Sequence, residues 1–308
     1  MRIDDSRDDE STSARGWAFN LAVFRIALVG GAALPMAWAA MRWAERVLPG
    51  VPADAWRPVS FFRWLPAEAL QSALLARGAA IALVACLALG FIGLRTRTAL
   101  GLAAAIAPFA LGLSQNQGKI AHDHHLVWFL ALLAAGPSGA ALSVDARRGR
   151  SSGDPRDALR TLRFVWLLMG LLFLGPGLAK LQAAISSGWC EAGSLRGLLR
   201  ESAVLRRHYA AGGEGGAWTE RLPDAAVVAA GALVIALEVG FVFAVLRRRL
   251  RAFAAAAGLS FHMATGFALG IWFAFLLPAY TALVDWSALA GRPGLRRRDV
   301  VEPSSEAG

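Results

Sequence analysis

Residues 98–142 read TALGLAAAIAPFALGLSQNQGKIAHDHHLVWFLALLAAGPSGAAL. Two apolar runs, about 98–114 and Leu126–Leu142, flank the polar stretch Gln115–His125, which carries three of the chain's five histidines, one Lys and one Asp. A water-soluble core does not need apolar runs of this length, whereas a lipid bilayer does. Lipid tolerates ionisable groups poorly, so a cluster of them at a membrane boundary is a candidate site.

The same alternation extends outward through the chain. Of its 308 residues, 56% are hydrophobic and 18% charged, against about a quarter charged in soluble proteins. The charge is gathered into short loops. The apolar runs are continuous and rich in Ala, Leu and Gly, which excludes the alternating pattern of an outer-membrane barrel and fits an all-α, polytopic membrane bundle. The net charge of +10 comes from loop arginines, where the positive-inside rule places them, and not from a nucleic-acid surface. Cys86 and Cys190 form no metal or redox motif.

Taken in order, residues 1–16 are a polar, acidic tail. Apolar runs follow at about 17–43, 69–93, 98–114, 126–142, 164–182 and 224–246, and residues 252–290 hold two more. The first run is too long for a signal-peptide core, so no cleaved leader is expected. Residues 44–68, with Trp56, Phe61, Phe62 and Trp64 among arginines and prolines, read as a segment in the headgroup layer. Residues 183–223 read as a long loop and 291–308 as a tail, first basic and then acidic. Eight spans over 17–290 put the basic loops 95–97, 147–163 and 247–251 and both termini on one side, the cytoplasmic one. The high Ala, Gly and Arg content suggests a GC-rich bacterial genome, and a helical bundle from such a source is expected in the bacterial cytoplasmic membrane.

Five polar features in or beside the apolar runs bear on chemistry. Arg25 either snorkels to the nearer interface or takes a partner inside the bundle. Lys180, after Gly175-Pro176-Gly177 near the end of a run, is either a snorkelling lysine at a kinked helix end or a base. A lysine becomes a general base when low dielectric disfavours its ammonium form. His122, Asp123, His124 and His125 offer proton transfer, hydrogen bonding to a substrate or plain interfacial polarity, with Asp123 placed to orient a ring; a metal is not expected, because the spacing matches no known motif. Glu238 and His262 are either polar glue between helices or the lining of a cavity shared with Lys180.

Several short motifs then fall in a telling order: FRI at 24–26, a histidine-bearing stretch before LSVD at 142–145, GPGLAKLQ at 175–182, GWCEAGSL at 188–195, LEVGF at 237–241 and LSFHMATG at 259–266. In this order they resemble the HTTM family, the membrane module related to vitamin K-dependent γ-glutamyl carboxylase. The resemblance implies that Lys180 is the base that deprotonates a reduced quinone, menaquinol or a vitamin K-like quinol. It matches His124 to the family's histidine, with His122 and His125 open, Phe261-His262 to its late FH pair and Trp189 to the Trp after the lysine motif. It also implies a peptide or protein substrate on the extracytoplasmic side. The family's Asn before its His is Asp or His here, and the residues after the last run do not supply the large extracytoplasmic domain of the animal carboxylase. A non-enzymatic membrane protein that binds lipid or peptide, or assists a secreted partner, is the competing reading. No internal repeat of the transporter kind is present.

Overall fold

The computed structural model describes residues 5–117, 124–150, 154, 156–209 and 221–291. Among the described residues every regular element is helical. In order these are α1 (Asp5–Leu28), a π-helical turn (Val29–Ala33), α2 (Leu34–Arg46), α3 (Ala67–Gln71), α4 (Ala73–Ile92), α5 (Thr96–Gly112), α6 (His125–Ala135), α7 (Val144–Arg147), α8 (Asp157–Ser187), α9 (Ala192–Tyr209), α10 (Asp224–Leu246), α11 (Arg251–Leu269) and α12 (Trp286–Ala290).

Six helical stretches among the described residues are long and apolar enough to cross a membrane: Ala14–Gly50, Ala73–Ile92, Thr96–Asn116, Asp157–Ser187, Asp224–Leu246 and Arg248–Leu269. Their outward faces are apolar too. Leu74 is 85% and Ile185 81% exposed, and Leu233, Phe253 and Phe267 also point away from the bundle. A surface of that kind suits hydrocarbon and not water, so the chain has the make-up of an integral membrane protein. The inner faces meet in one core, in which Leu21, Phe24 and Leu28 of α1 pack among Leu83, Leu87, Leu100, Phe129 and Leu133. Phe24 and Phe129 meet edge to face at 5.7 Å.

Two of the eight runs form something shorter than a span. The fourth is α6, with 11 residues, a rise of about 16 Å, or roughly half the hydrocarbon thickness. It stops at Gly136-Pro137, where the proline has no amide to donate. The last run becomes a 3-10 helix (Leu277–Leu283) followed by α12. The sequence also hid some helix. The N-terminal tail continues α1 back to Asp5, and the expected loop 183–223 contains the end of α8 and all of α9. Leu195 of α9 is buried against Gly231 of α10, and Arg196 reaches Asp224 at 2.8 Å. Those two contacts hold the start of α9 against α10.

The aromatic segment 44–68 is three 3-10 turns folded over the end of α5. Phe62 is buried against Gly112 and Phe109. Asn116, fully buried, accepts from the Val59 amide at 3.0 Å. Trp56 is buried and Trp64 is 86% exposed, so the segment turns only part of its aromatic content outward.

Gly93 ends α4 in the left-handed region at φ 73°. A Cβ there would lie 2.3 Å from the Ser143 side chain and 2.9 Å from the Arg25 guanidinium. No other residue satisfies both the backbone conformation and this approach. The turn after Gly93 therefore nests directly against residues 138–145, and the last turn of α1, which carries Arg25, lies beside both.

Candidate functional site

Two polar clusters are built into the bundle. The first forms around Arg25, which has no exposed surface. Its guanidinium donates to the carbonyls of Ser138 at 2.8 Å and Leu142 at 2.6 Å. Arg25 thus takes partners inside the bundle and does not snorkel. Asp145 lies beside it and accepts from the Arg95 amide at 2.9 Å, the Thr96 amide at 2.8 Å and the Thr96 hydroxyl at 2.7 Å. Burial pushes the Asp145 carboxyl upward, but the Thr96 and Arg95 hydrogen bonds and the Arg25 charge outweigh it and hold the group below its ordinary range. The Asp145 amide in turn donates to Gly93 O at 2.9 Å. Further along the same end, Asn20 donates to Asp285 at 3.0 Å, Trp166 donates to Ala282 O at 2.7 Å, and Arg251 lies 3.6 Å over the Trp166 ring.

The second cluster lies between α8, α10 and α11. α8 runs continuously through Pro176. Glycines set its distance from α10: a Cβ on Gly177 would come within 2.8 Å of the Glu238 Cβ, and one on Gly170 within 2.8 Å of Val242. Close approach of this kind is what small residues allow between helices in lipid. It brings Lys180 Nζ to 2.8 and 2.7 Å from the two Glu238 oxygens. The Glu238 side chain is 5% exposed and that of Lys180 28%. Lys180 is therefore an ion-paired group inside the bundle.

One turn along α10 from Glu238, Phe241 stacks on Phe173 of α8 at 4.0 Å. Phe173 borders His262 of α11 at 5.4 Å between ring centroids. Phe273 at 4.6 Å, Phe261 at 5.3 Å and Tyr280 at 5.8 Å complete an aromatic nest around that imidazole. Among the described residues, neither ring nitrogen of His262 nor the Tyr280 hydroxyl finds a hydrogen-bond partner, although all three atoms are buried. Buried polar atoms are nearly always paired, so three orphans in one nest call for an explanation.

The remaining candidates divide. His125 is buried and meets Phe129 edge to face at 5.9 Å, within electrostatic range of His262. His124 stands exposed at the N-cap position of α6, where its side chain makes no capping hydrogen bond. His122 and Asp123 lie outside the described residues. Trp189 sits half-buried just past the left-handed Gly188 that ends α8, with its amide donating to Ala183 O at 3.2 Å. Among the described residues no three His, Cys, Asp or Glu side chains gather as metal ligands would. Sequence reasoning missed Tyr280, Phe173 and Asp145. The aspartate could have been noticed as the lone acid at the start of an arginine-rich loop; nothing local marks the other two.

These features define a helical membrane-type bundle in which a half-buried Lys180 pairs with the buried Glu238 beside an aromatic nest. Comparison with protein-family models, curated proteins and solved structures finds no match to the chain.

Proposed function

We propose that this is an integral protein of a bacterial cytoplasmic membrane, similar in its core to the vitamin K-dependent carboxylases, and that it works on a reduced quinone at the Lys180–Glu238–His262 centre. The observation that carries the reading is the intramembrane Lys–Glu pair one turn from a nest of orphaned polar atoms. Ionisable groups at that depth are costly and mark function by default. An aromatic nest with an imidazole and a phenol that have spare hydrogen-bonding capacity fits a flat, largely apolar ligand with two oxygens.

The proposed topology has eight crossings, with both termini on the basic, cytoplasmic side. Two contacts support it. After α6 the chain returns to Arg25 at Ser138 and Leu142, and after α11 it returns to Trp166 at Ala282. The arginine-rich turns then share one side, and Lys180 lies toward the other, where a peptide or protein substrate would arrive.

A bound quinol would supply O2 with four electrons, two from its hydroxyls and two from the ring C=C that takes up the epoxide oxygen, the other oxygen leaving as water; this would provide the basicity to remove a proton from a weakly acidic C–H, whose electron pair would then add to carbon dioxide. Lys180 accepts a quinol hydroxyl proton only as a neutral amine. Glu238 makes that form accessible, since one proton moving along the 2.7 Å contact turns the ion pair into a neutral pair without changing the net charge of the site. His262 and Tyr280 orient the ligand oxygens, and His125, on α6, borders the same region. The surrounding phenylalanines keep water out.

The test uses the full chain purified in detergent, with menaquinol binding followed by tryptophan quenching and the 2,3-epoxide followed by mass spectrometry in the presence of oxygen. Wild type binds and forms epoxide, and Lys180→Ala forms none. Folded wild type that neither binds menaquinol nor forms epoxide defeats the reading. A second reading rests on one feature: both Glu238 oxygens are engaged by Lys180, which is also how a purely structural clamp between α8 and α10 would look. In that case the chain is a non-enzymatic membrane protein that binds lipid or peptide, and Lys180→Ala alters stability alone.

A further inference from the structure

Where the turn 93–96 meets residues 145–150, a cavity of about 470 Å³ opens at the end of the bundle. Arg95, Arg97, Arg148 and Arg150 line it, with Thr96 and Thr98 between them. The single carboxylate in its wall, Asp145, already accepts from the Arg95 amide and from both the amide and the hydroxyl of Thr96. It also faces the buried Arg25. Asp145 therefore caps α5 and leaves the guanidinium groups unneutralised.

Among the described residues those groups have no acidic partner within ion-pair distance. The ion pairs among the described residues involve Arg77, Arg160, Lys180, Arg196 and Arg248 and none of the four. Arg97 donates through Nε and one terminal nitrogen to the carbonyls of Ala134 and Ala135, at 3.2 and 2.9 Å. That fixes the side chain across the end of α6 without cancelling its charge. A soluble protein would leave such a cluster to water. Here it sits at the foot of apolar helices, at the level where phospholipid headgroups lie.

The backbone supplies an independent sign. Among the described residues three non-glycines have positive φ, and two of them, Arg95 at 45° and Leu142 at 47°, flank this place, together with the glycines 93 and 149 at 73° and 62°. Strained conformations persist where the surroundings over-determine them, and they gather at binding sites. Arg95 is held in its strained state by the hydrogen bond from its amide to Asp145, which keeps its side chain on the cavity wall.

We propose that this cavity binds the phosphate of an anionic phospholipid headgroup from the surrounding leaflet, with Arg148 and Arg150 as its chief ligands and Arg95 and Arg97 as the fixed wall. Guanidinium groups recognise phosphate oxygens in pairs, by parallel N–H donation. The volume accepts a phosphate with a small polar alcohol attached. The acyl chains lie along the apolar outer faces beside it.

The test is native mass spectrometry of the full chain in detergent, titrated with phosphatidylglycerol or phosphatidylcholine. Two double variants are compared: Arg148→Gln with Arg150→Gln in the cavity, and Arg247→Gln with Arg249→Gln in the other basic turn. All four side chains are exposed, and melting temperatures establish that each variant folds. Wild type retains one phosphatidylglycerol in preference to phosphatidylcholine. The cavity pair weakens this binding by about tenfold or more, and the control pair, with the same loss of charge, leaves it unchanged. Equal weakening by both pairs, or no preference for the anionic lipid, overturns the site. Displacement of phosphatidylglycerol by an equal concentration of inorganic phosphate overturns the lipid assignment in favour of a soluble phosphate compound.

Discussion

The Arg25 cluster and the Lys180 cluster each place a cation inside an apolar bundle, and they handle it differently. Arg25 is bound by backbone carbonyls of a turn that its own presence shapes, and the neighbouring carboxylate has three hydrogen bonds of its own. Lys180 is held by one side chain, near a histidine and a tyrosine whose buried polar atoms find no partner among the described residues. A cation tied into the backbone fixes the fold. A cation tied to one side-chain carboxylate, near buried polar atoms that lack a partner among the described residues, is what the proposed proton exchange requires.

The contrast is sharpest in Arg25→Met. It strips one buried and one part-buried carbonyl of their donor and Asp145 of its neighbouring charge, and the expected loss is about 3–5 kcal/mol, or failure to assemble. Thermal unfolding in detergent measures it, and a loss below about 1 kcal/mol would show that the turn does not depend on the guanidinium. Next comes Glu238→Leu, which leaves Lys180 unpaired and costs about 3 kcal/mol. Adding Lys180→Met restores most of that stability by removing the charge altogether. The double variant is expected to melt near wild type and to bind no menaquinol; if it still binds, the pair is only a clamp.

Asp145→Asn gives a smaller and pH-dependent effect. The folded carboxyl titrates below its unfolded value of about 3.9. Its stabilisation is thus fully present above that pH and lost as pH falls through the lower folded value. Wild-type melting temperature therefore drops below about pH 4, and the asparagine variant, already weaker by about 1–2 kcal/mol at neutral pH, is flatter there. A parallel fall in both chains would assign the acid sensitivity elsewhere. The smallest change in stability is expected from His262→Phe, which replaces an unbonded ring by an apolar one in an aromatic nest. Stability holds or rises by about 1 kcal/mol, whereas menaquinol binding weakens. Unchanged binding would remove His262 from the site.

The contrast also explains what the sequence could tell. Long apolar runs make the helices legible, because hydropathy is a local property. Run length does not reveal that α6 ends after 11 residues, since the chain from Gly136 onward stays apolar while its backbone turns toward Arg25. Lys180 and Glu238 each stand out alone against their runs. Their pairing across 58 positions depends on the glycines that set the α8–α10 distance and on the rotation of both helices, and no spacing rule carries that. His262 was visible as an intramembrane histidine. Its nest was not, because Phe273 and Tyr280 lie in the irregular stretch that follows α11.

Arg25 has a consequence for how the protein is made. Its acceptors at Ser138 and Leu142 lie 113 and 117 residues downstream. At about 5–20 residues per second of synthesis, roughly 6–23 seconds pass between emergence of the arginine and emergence of the groups that bind it. During that interval the first helix waits as a membrane guest with an unmet charge. Its native docking in the bundle is complete only once that one short turn has been made.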